Sequence, residues 1–83
     1  MNRVLTVEAI DNYQLRLTFS EGQSGIFDMM PYIEQSDFFA ELKDVTYFKQ
    51  VTLFFRGIGW ANGQDMSPDT LLFGLVSDVK HAA

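Results

Sequence analysis

The sequence contains no cysteine. This absence excludes a disulfide framework and a thiolate metal cluster, and the cysteine content gives no sign of secretion. The N-terminal stretch MNRVLTVEAI lacks the long apolar core and the small-residue cleavage site of a signal peptide. No apolar run approaches the ~20 residues needed to span a bilayer. We therefore expect a cytoplasmic protein that has no membrane partner.

Basic residues are also scarce, because six Lys and Arg stand against eleven Asp and Glu, for a net charge of −5. The basic residues are scattered along the chain at Arg3, Arg16, Lys43, Lys49, Arg56 and Lys80. A nucleic-acid backbone is bound through a positive stripe that displaces its counterions. The composition therefore predicts no direct nucleic-acid partner and an acidity that serves solubility.

Apolar residues are plentiful: they make up 47% of the 83 residues and include eight Phe, three Tyr and one Trp. A chain this short buries only about 60–65% of the surface that its unfolded form exposes. Large aromatic side chains supply the buried area that such a small core needs. The length predicts a single domain that covers residues 1–83.

The first 28 residues predict a three-stranded antiparallel meander. Tyr13, Leu15, Leu17 and Phe19 alternate with polar residues, which is typical of a half-buried strand. The segment Val4–Ile10 is rich in β-branched residues and predicts the strand before it. A turn at Gly22 would lead into a third strand at about 23–28.

The following segment predicts a short helix. Pro31 closes the third strand because it cannot donate to a strand ladder. Ser36 or Asp37 can cap a helix whose inward stripe is Phe38, Phe39 and Leu42. A loop or helical turn would then bring Phe48 into the core.

The second half predicts two more strands and a closing helix. The strands lie at 50–55 and 58–60, with a turn at Arg56-Gly57. The helix begins at Ser67, and its apolar face comprises Leu71, Leu72, Leu75, Val76 and Val79. The predicted fold is α+β: one antiparallel sheet of about five strands in the order β-β-β-α-β-β-α, with two helices packed on it.

The run WANGQDMSPDTLL, residues 60–72, contains the only Trp. Asn62-Gly63 is a strong turn dipeptide after the strand that carries Trp60. Ser67 is predicted to cap the last helix, with Pro68 at its first position. Asp69 would face the positive end of the helix dipole, and Asp65 would accept hydrogen bonds from the main chain. This interpretation gives each polar residue of the run a structural role.

The alternative interpretation takes the carboxylates of Asp28, Asp65 and Asp69 as a metal or acid/base site. Hard cations usually recruit more oxygen ligands, and no calcium-loop, P-loop, dinucleotide or zinc motif is present. The only His, His81, lies near the C-terminus. We therefore assign no catalytic residue, no metal ligand and no cofactor, and expect that the protein is not an enzyme.

The sequence resembles the family catalogued as domain of unknown function 2442. The most specific part of the resemblance is the pattern formed by Trp60, Asn62, Gly63, Asp65, Ser67, Pro68, Asp69 and Leu71, together with the Gly22 turn and Phe27-Asp28. The resemblance implies a small α+β fold without an established activity. It also implies proteins that stand alone or carry a helix-turn-helix domain, which this sequence lacks. Many are encoded beside a second small protein, an arrangement similar to toxin–antitoxin pairs.

These observations predict a non-enzymatic protein–protein interaction module, and the resemblance suggests half of an antitoxin-like pair. The candidate assemblies are a complex with a protein encoded nearby and a homodimer. Met29 and Met30, beside Pro31 and Tyr32, form a candidate contact surface, although burial in the core is the commoner situation for Met. Trp60 is predicted to pack against the closing helix.

Overall fold

The computed structural model describes residues 1–77, and the prediction for Val79 lies outside them. This part of the chain contains six strands: β1 (Val4–Ile10), β2 (Gln14–Phe19), β3 (Ser24–Asp28), β4 (Thr52–Phe54), β5 (Gly57–Gly59) and β6 (Asp65–Met66). Three α-helices are present in this range: α1 (Met30–Gln35), α2 (Val45–Phe48) and α3 (Pro68–Phe73). Two 3-10 segments, Asp11–Tyr13 and Asp37–Lys43, are the remaining regular elements of residues 1–77. The chain is α+β, as predicted.

The N-terminal meander is confirmed. Strands β1, β2 and β3 form an antiparallel sheet in that order. The alternation in β2 places Leu15, Leu17 and Phe19 in the core, each at most 2% exposed. Leu15 pairs with Phe27 in register, so that the buried faces of β2 and β3 coincide.

The predicted single sheet of about five strands is wrong, because the strands form two separate three-stranded sheets. The second sheet has the antiparallel order β4-β5-β6. The β4–β5 turn uses Phe55 and Arg56, both with positive φ, and Gly57 already belongs to β5. One hydrogen bond of 2.7 Å, from the Val4 N–H to the Arg56 carbonyl, connects the two sheets.

The helical region between the sheets differs from the prediction in two ways. Helix α1 was not predicted, since Pro31 was interpreted only as the end of a strand, whereas it occupies the first turn of this helix. The segment expected to be an α-helix is the 3-10 segment Asp37–Lys43, in which Leu42 is buried but Phe38 is 52% exposed. Phe48 lies in the core at the end of α2, as predicted.

The closing helix is shorter than predicted. It ends at Phe73, and Gly74 follows as its C-cap. Val76 is extended and exchanges two hydrogen bonds, of 2.7 and 2.8 Å, with Ile26 of β3. The predicted helical face therefore holds for Leu71 and Leu72 but not for Val76, which extends the edge of the first sheet.

The core lies where both sheets and the three helices meet. Its buried apolar members are Val4, Leu15, Leu17, Phe19, Phe27, Met29, Ile33, Leu42, Phe48, Ile58, Trp60, Met66 and Leu71. Within residues 1–77, no helix has the length and apolar character that crossing a membrane requires.

Candidate functional site

Trp60 is a core residue. Its side chain is 5% exposed, and its ring stacks on Phe48 with 6.0 Å between ring centroids. The indole Nε1–H donates a 2.9 Å hydrogen bond to the main-chain carbonyl of Phe48. The stacking partner is thus the end of α2, a contact that the sequence analysis did not predict.

A polar cluster, which we call the clasp, holds the turn after Trp60. It comprises Glu41, Tyr47, Asn62 and Gln64. The two carboxylate oxygens of Glu41 accept hydrogen bonds from the Asn62 side chain at 2.6 Å and from the Gln64 side chain at 2.9 Å. The Tyr47 hydroxyl donates to Gln64 at 2.6 Å and accepts from the Asn62 main-chain N–H at 2.8 Å.

The polar groups of this turn are used in hydrogen bonds within the clasp. Gln64 is only 5% exposed, and its amide is satisfied at both ends by Glu41 and Tyr47. Gly63 has φ 105° and donates its N–H to the Trp60 carbonyl at 3.1 Å, which confirms the predicted turn. Sequence reasoning missed Gln64, Glu41 and Tyr47, because nothing in the local pattern around Gln64 indicates partners 17 and 23 residues away.

The start of α3 follows the prediction in part. The Ser67 hydroxyl accepts a 3.2 Å hydrogen bond from the Thr70 N–H, and Pro68 lies in the first turn. Asp69 is also in the first turn, where its charge faces the helix dipole. Asp65 is exposed in β6, and no hydrogen bond between its carboxylate and the main chain is present in residues 1–77. The bonding role expected for Asp65 is therefore not observed.

The carboxylates of the alternative interpretation are not brought together. Among the described residues, no group of three His, Cys, Asp or Glu side chains could hold a metal ion. Asp28 instead accepts a 3.0 Å hydrogen bond from the Met30 N–H at the start of α1, while Asp65 and Asp69 lie at β6 and α3.

The candidate contact surface around Met29 divides into two parts. Met29 is fully buried and belongs to the core. Pro31 and Tyr32, on α1, line an open cleft of about 1010 Å³. The cleft, which we call the aromatic cleft, is lined by Gln14, Ile26, Phe27, Asp28, Pro31, Tyr32, Gln35, Ser36, Phe73, Gly74 and Val76.

The aromatic cleft is formed where the C-terminal segment approaches β3. A Cβ at Gly25 would overlap the carbonyl oxygen of Val76, and a Cβ at Gly74 would lie 2.6 Å from the Phe27 ring. Both positions therefore need glycine for close approach. The segment fixed in this way presents Phe73, which is 95% exposed, at one rim of the cleft.

The other rim is the first turns of α1. The Tyr32 ring packs against Phe27 at 5.6 Å between centroids and against Phe39 at 6.0 Å, so that its position is set by the core. Asp28 is the only charged residue that lines the cleft among those described. One of its oxygens receives the Met30 N–H, and the second has no partner in residues 1–77. The cleft therefore combines aromatic surface with one available carboxylate oxygen.

Comparison with known proteins identifies the family of the chain. The model of the family described as "Protein of unknown function (DUF2442)" matches residues 4–77. The chain belongs to this family. The matched range contains the clasp, the aromatic cleft and the whole Trp60 motif. No curated protein matches the chain.

One solved structure has the same fold. It is the crystal structure of a "Putative DNA Binding Protein" from Nitrosomonas europaea ATCC 19718, with 21% sequence identity and a TM-score of 0.77. The match covers 90% of this chain and 49% of the other, so this chain spans about half the length of that protein.

The solved structure from Nitrosomonas europaea corrects the prediction about partners. The charge balance had predicted no direct nucleic-acid partner, and a protein of the same fold that is named for DNA binding contradicts that expectation. Direct nucleic-acid binding returns as a candidate. No comparison supports the homodimer or the partner encoded nearby.

Proposed function

We propose that this domain is a non-enzymatic protein–protein interaction module whose contact surface is the aromatic cleft. The observation that carries the proposal is Phe73, a large aromatic side chain 95% exposed at the rim of an apolar cleft of about 1010 Å³. Aromatic residues are enriched at protein interfaces, and contiguous exposed apolar patches mark interaction sites. A partner that covers the cleft would remove this exposure of Phe73 to water.

Several polar side chains of residues 60–72 make hydrogen bonds within the protein, which supports a non-enzymatic role. A catalytic side chain must present a reactive atom to a ligand. Asn62 and Gln64 instead bind Glu41 and Tyr47 within the clasp, and Ser67 caps α3. The antitoxin-like role rests on the family resemblance and on no contact in the structure, so we do not include it in the proposed function.

Site-specific photocrosslinking in the cell of origin tests the proposal. A photoreactive phenylalanine at position 73 is expected to capture one protein species. The same residue at position 38 serves as the matched control, because Phe38 is also exposed, at 52%, but does not line the cleft. The captured protein is then purified and its binding to the full chain measured directly. Equal products at both positions, or none at position 73, would contradict the proposal.

Nucleic-acid binding is the second candidate, and the solved structure from Nitrosomonas europaea favours it. The β4–β5 turn offers one surface for it: Phe55 is 87% exposed and Phe54 is 46% exposed, and Arg56 follows them. Exposed aromatic rings beside a cation suit the stacking of single-stranded bases and contact with phosphate. The net charge of −5 opposes such binding.

A gel-shift titration with a 20-nucleotide single strand at low salt tests this candidate. Binding through the turn should weaken in Phe55→Ala and Arg56→Ala, whereas Phe38→Ala, an exposed aromatic elsewhere, should behave as the unaltered chain. Retardation that is equal in all variants would exclude the turn, and absence of retardation would exclude the candidate.

A further inference from the structure

We infer that the aromatic cleft recognises a cationic side chain, Arg or Lys, presented by a protein partner. This inference rests on the proposed interaction function and adds the chemistry of the group that is bound. It depends on three features of the cleft: its single carboxylate, its aromatic rings and its neutral polar rim.

The carboxylate is that of Asp28. Its position is fixed, because one oxygen accepts the Met30 N–H at 3.0 Å at the start of α1. The second oxygen has no partner in the described part of the chain, and Asp28 lines a cleft to which no described Lys or Arg contributes. An incoming cation therefore meets an acceptor whose geometry is set before binding, which lowers the entropy lost on association.

The rings that a cation can reach are those of Tyr32, which is partly buried, and Phe73, because Phe27 is only 2% exposed and supports Tyr32 from the core. Phe27 and Tyr32 pack at 5.6 Å between centroids with an interplanar angle of 33°, and Phe73 is almost fully exposed at the opposite rim. Ring faces attract cations through their quadrupole, and the long stems of Lys and Arg cover apolar surface while the charged head stays polar. The combination fits a long side chain with a terminal positive charge better than a purely apolar one.

The neutral rim consists of Gln14, Gln35 and Ser36. These side chains donate and accept hydrogen bonds without adding charge. They suit the main chain of a peptide that carries the cation. An anionic side chain would instead face Asp28 at close range, where like charges repel.

The inference is tested by displaying random heptapeptides and selecting them on the full chain. Selected peptides are expected to share one Arg or Lys next to apolar residues. In ¹⁵N NMR titrations of the full chain, such a peptide should shift the amides of Asp28, Tyr32 and Phe73. Replacing its basic residue by Gln should weaken binding roughly fivefold, the scale of one partly exposed ion pair with a cation–π contact.

Two substitutions on the protein localise the effect. Asp28→Asn keeps an oxygen that accepts from Met30 and removes the charge, so it should lower the affinity by roughly two- to fivefold and weaken the preference for Arg or Lys, while the cation–π contact remains. Glu34→Gln is the matched control, because Glu34 is an exposed acid on α1, the helix that begins beside Asp28, and does not line the cleft. It should leave the affinity unchanged.

The outcomes separate this inference from the proposed function. Peptides that bind the cleft without a basic residue would overturn the inference and leave the interaction module standing. If no peptide binds, or if the shifts lie elsewhere, both are overturned. Cleft shifts that depend on protein concentration alone would identify a second copy as the occupant, and NOE contacts from residues 78–83 to Tyr32 in the free chain would identify the chain's own segment. Either result overturns the inference.

Discussion

The Trp60 indole donates its N–H to the Phe48 carbonyl at 2.9 Å while its ring stacks on the Phe48 side chain. One residue pair thereby joins the end of α2 to the residue that follows β5. Without this bond, the buried Phe48 carbonyl would accept one hydrogen bond fewer. Trp60 therefore contributes both packing and hydrogen-bond satisfaction.

Trp60→Phe separates these two contributions. Phe retains a ring that can stack on Phe48 but cannot donate, so the free energy of unfolding should fall by about 1–3 kcal/mol. Trp60→Ala removes the ring as well and should cost about 3–5 kcal/mol, a large share of the 5–15 kcal/mol typical of small domains. Urea denaturation followed by far-ultraviolet circular dichroism measures both. Equal losses in the two variants would show that the ring contributes nothing beyond the hydrogen bond, and an unchanged stability of Trp60→Phe would show that the hydrogen bond contributes nothing.

The clasp gives a second prediction. Glu41→Gln preserves the shape of the side chain but replaces one accepting oxygen by a donating nitrogen, which would face the amide of Asn62 or Gln64. The expected loss of stability is about 1–3 kcal/mol, because a part-buried donor then lacks an acceptor. Glu34→Gln makes the same chemical change at an exposed position and should stay within about 0.5 kcal/mol. Similar losses in the two variants would contradict a structural role for the clasp.

The clasp also shows where sequence reasoning stops. The alternation of Leu15, Leu17 and Phe19 and the Ser67-Pro68 helix start are local patterns, and both were predicted correctly. Gln64 makes its contacts through tertiary structure with partners distant in the chain. No local pattern marks it as buried, and so the clasp was not predicted.

Other errors have similar physical causes. The division into two sheets depends on which strands pair along their edges. The spacing of apolar residues along a strand does not contain this information. Val76 continues the spacing of an apolar helical face, but Gly74 ends the helix and Ile26 offers an unpaired edge. The aromatic cleft combines residues that lie far apart in the sequence, so no local pattern predicted it. Phe27, Asp28, Ser36 and Val76 had been considered for other reasons, and Pro31 and Tyr32 as neighbours of the two methionines.

The start of α3 gives a third prediction, on Ser67 and Asp69. Ser67→Ala removes the acceptor of the Thr70 N–H and should cost about 1 kcal/mol. Asp69→Asn removes only the charge at the helix N-terminus and should cost about 0.3–1 kcal/mol, with a loss that shrinks at high salt. The salt series of urea midpoints distinguishes them, because the Ser67 effect should persist at 1 M sodium chloride. A salt-sensitive Ser67 effect would contradict the capping role.

A fourth prediction concerns the carboxylates of the alternative interpretation. Asp28, Asp65 and Asp69 lie in three separate elements and do not form a metal-binding group in residues 1–77. Millimolar magnesium, calcium or manganese should therefore leave Tm unchanged, because a cation stabilises a protein only through preferential binding to the folded state. Differential scanning calorimetry with and without the ions measures this. A rise in Tm that is lost in Asp65→Asn would restore the metal interpretation.

The last prediction concerns the approach of the C-terminal segment to β3. Gly25→Ala would push its Cβ against the carbonyl of Val76, which cannot yield without breaking the two hydrogen bonds to Ile26. The expected cost is about 1–3 kcal/mol from overpacking. Hydrogen exchange should show the local consequence: the Ile26 and Val76 amides lose protection in the variant, while those inside the β1–β2 pair keep theirs. Ser24→Ala, at an exposed neighbouring position, is the control and should change neither amide. Because the same segment carries Phe73, Gly25→Ala should also reduce crosslinking from position 73. Unchanged protection at Val76 would show that the segment is not held by this edge, and the aromatic cleft would then lose one of its walls.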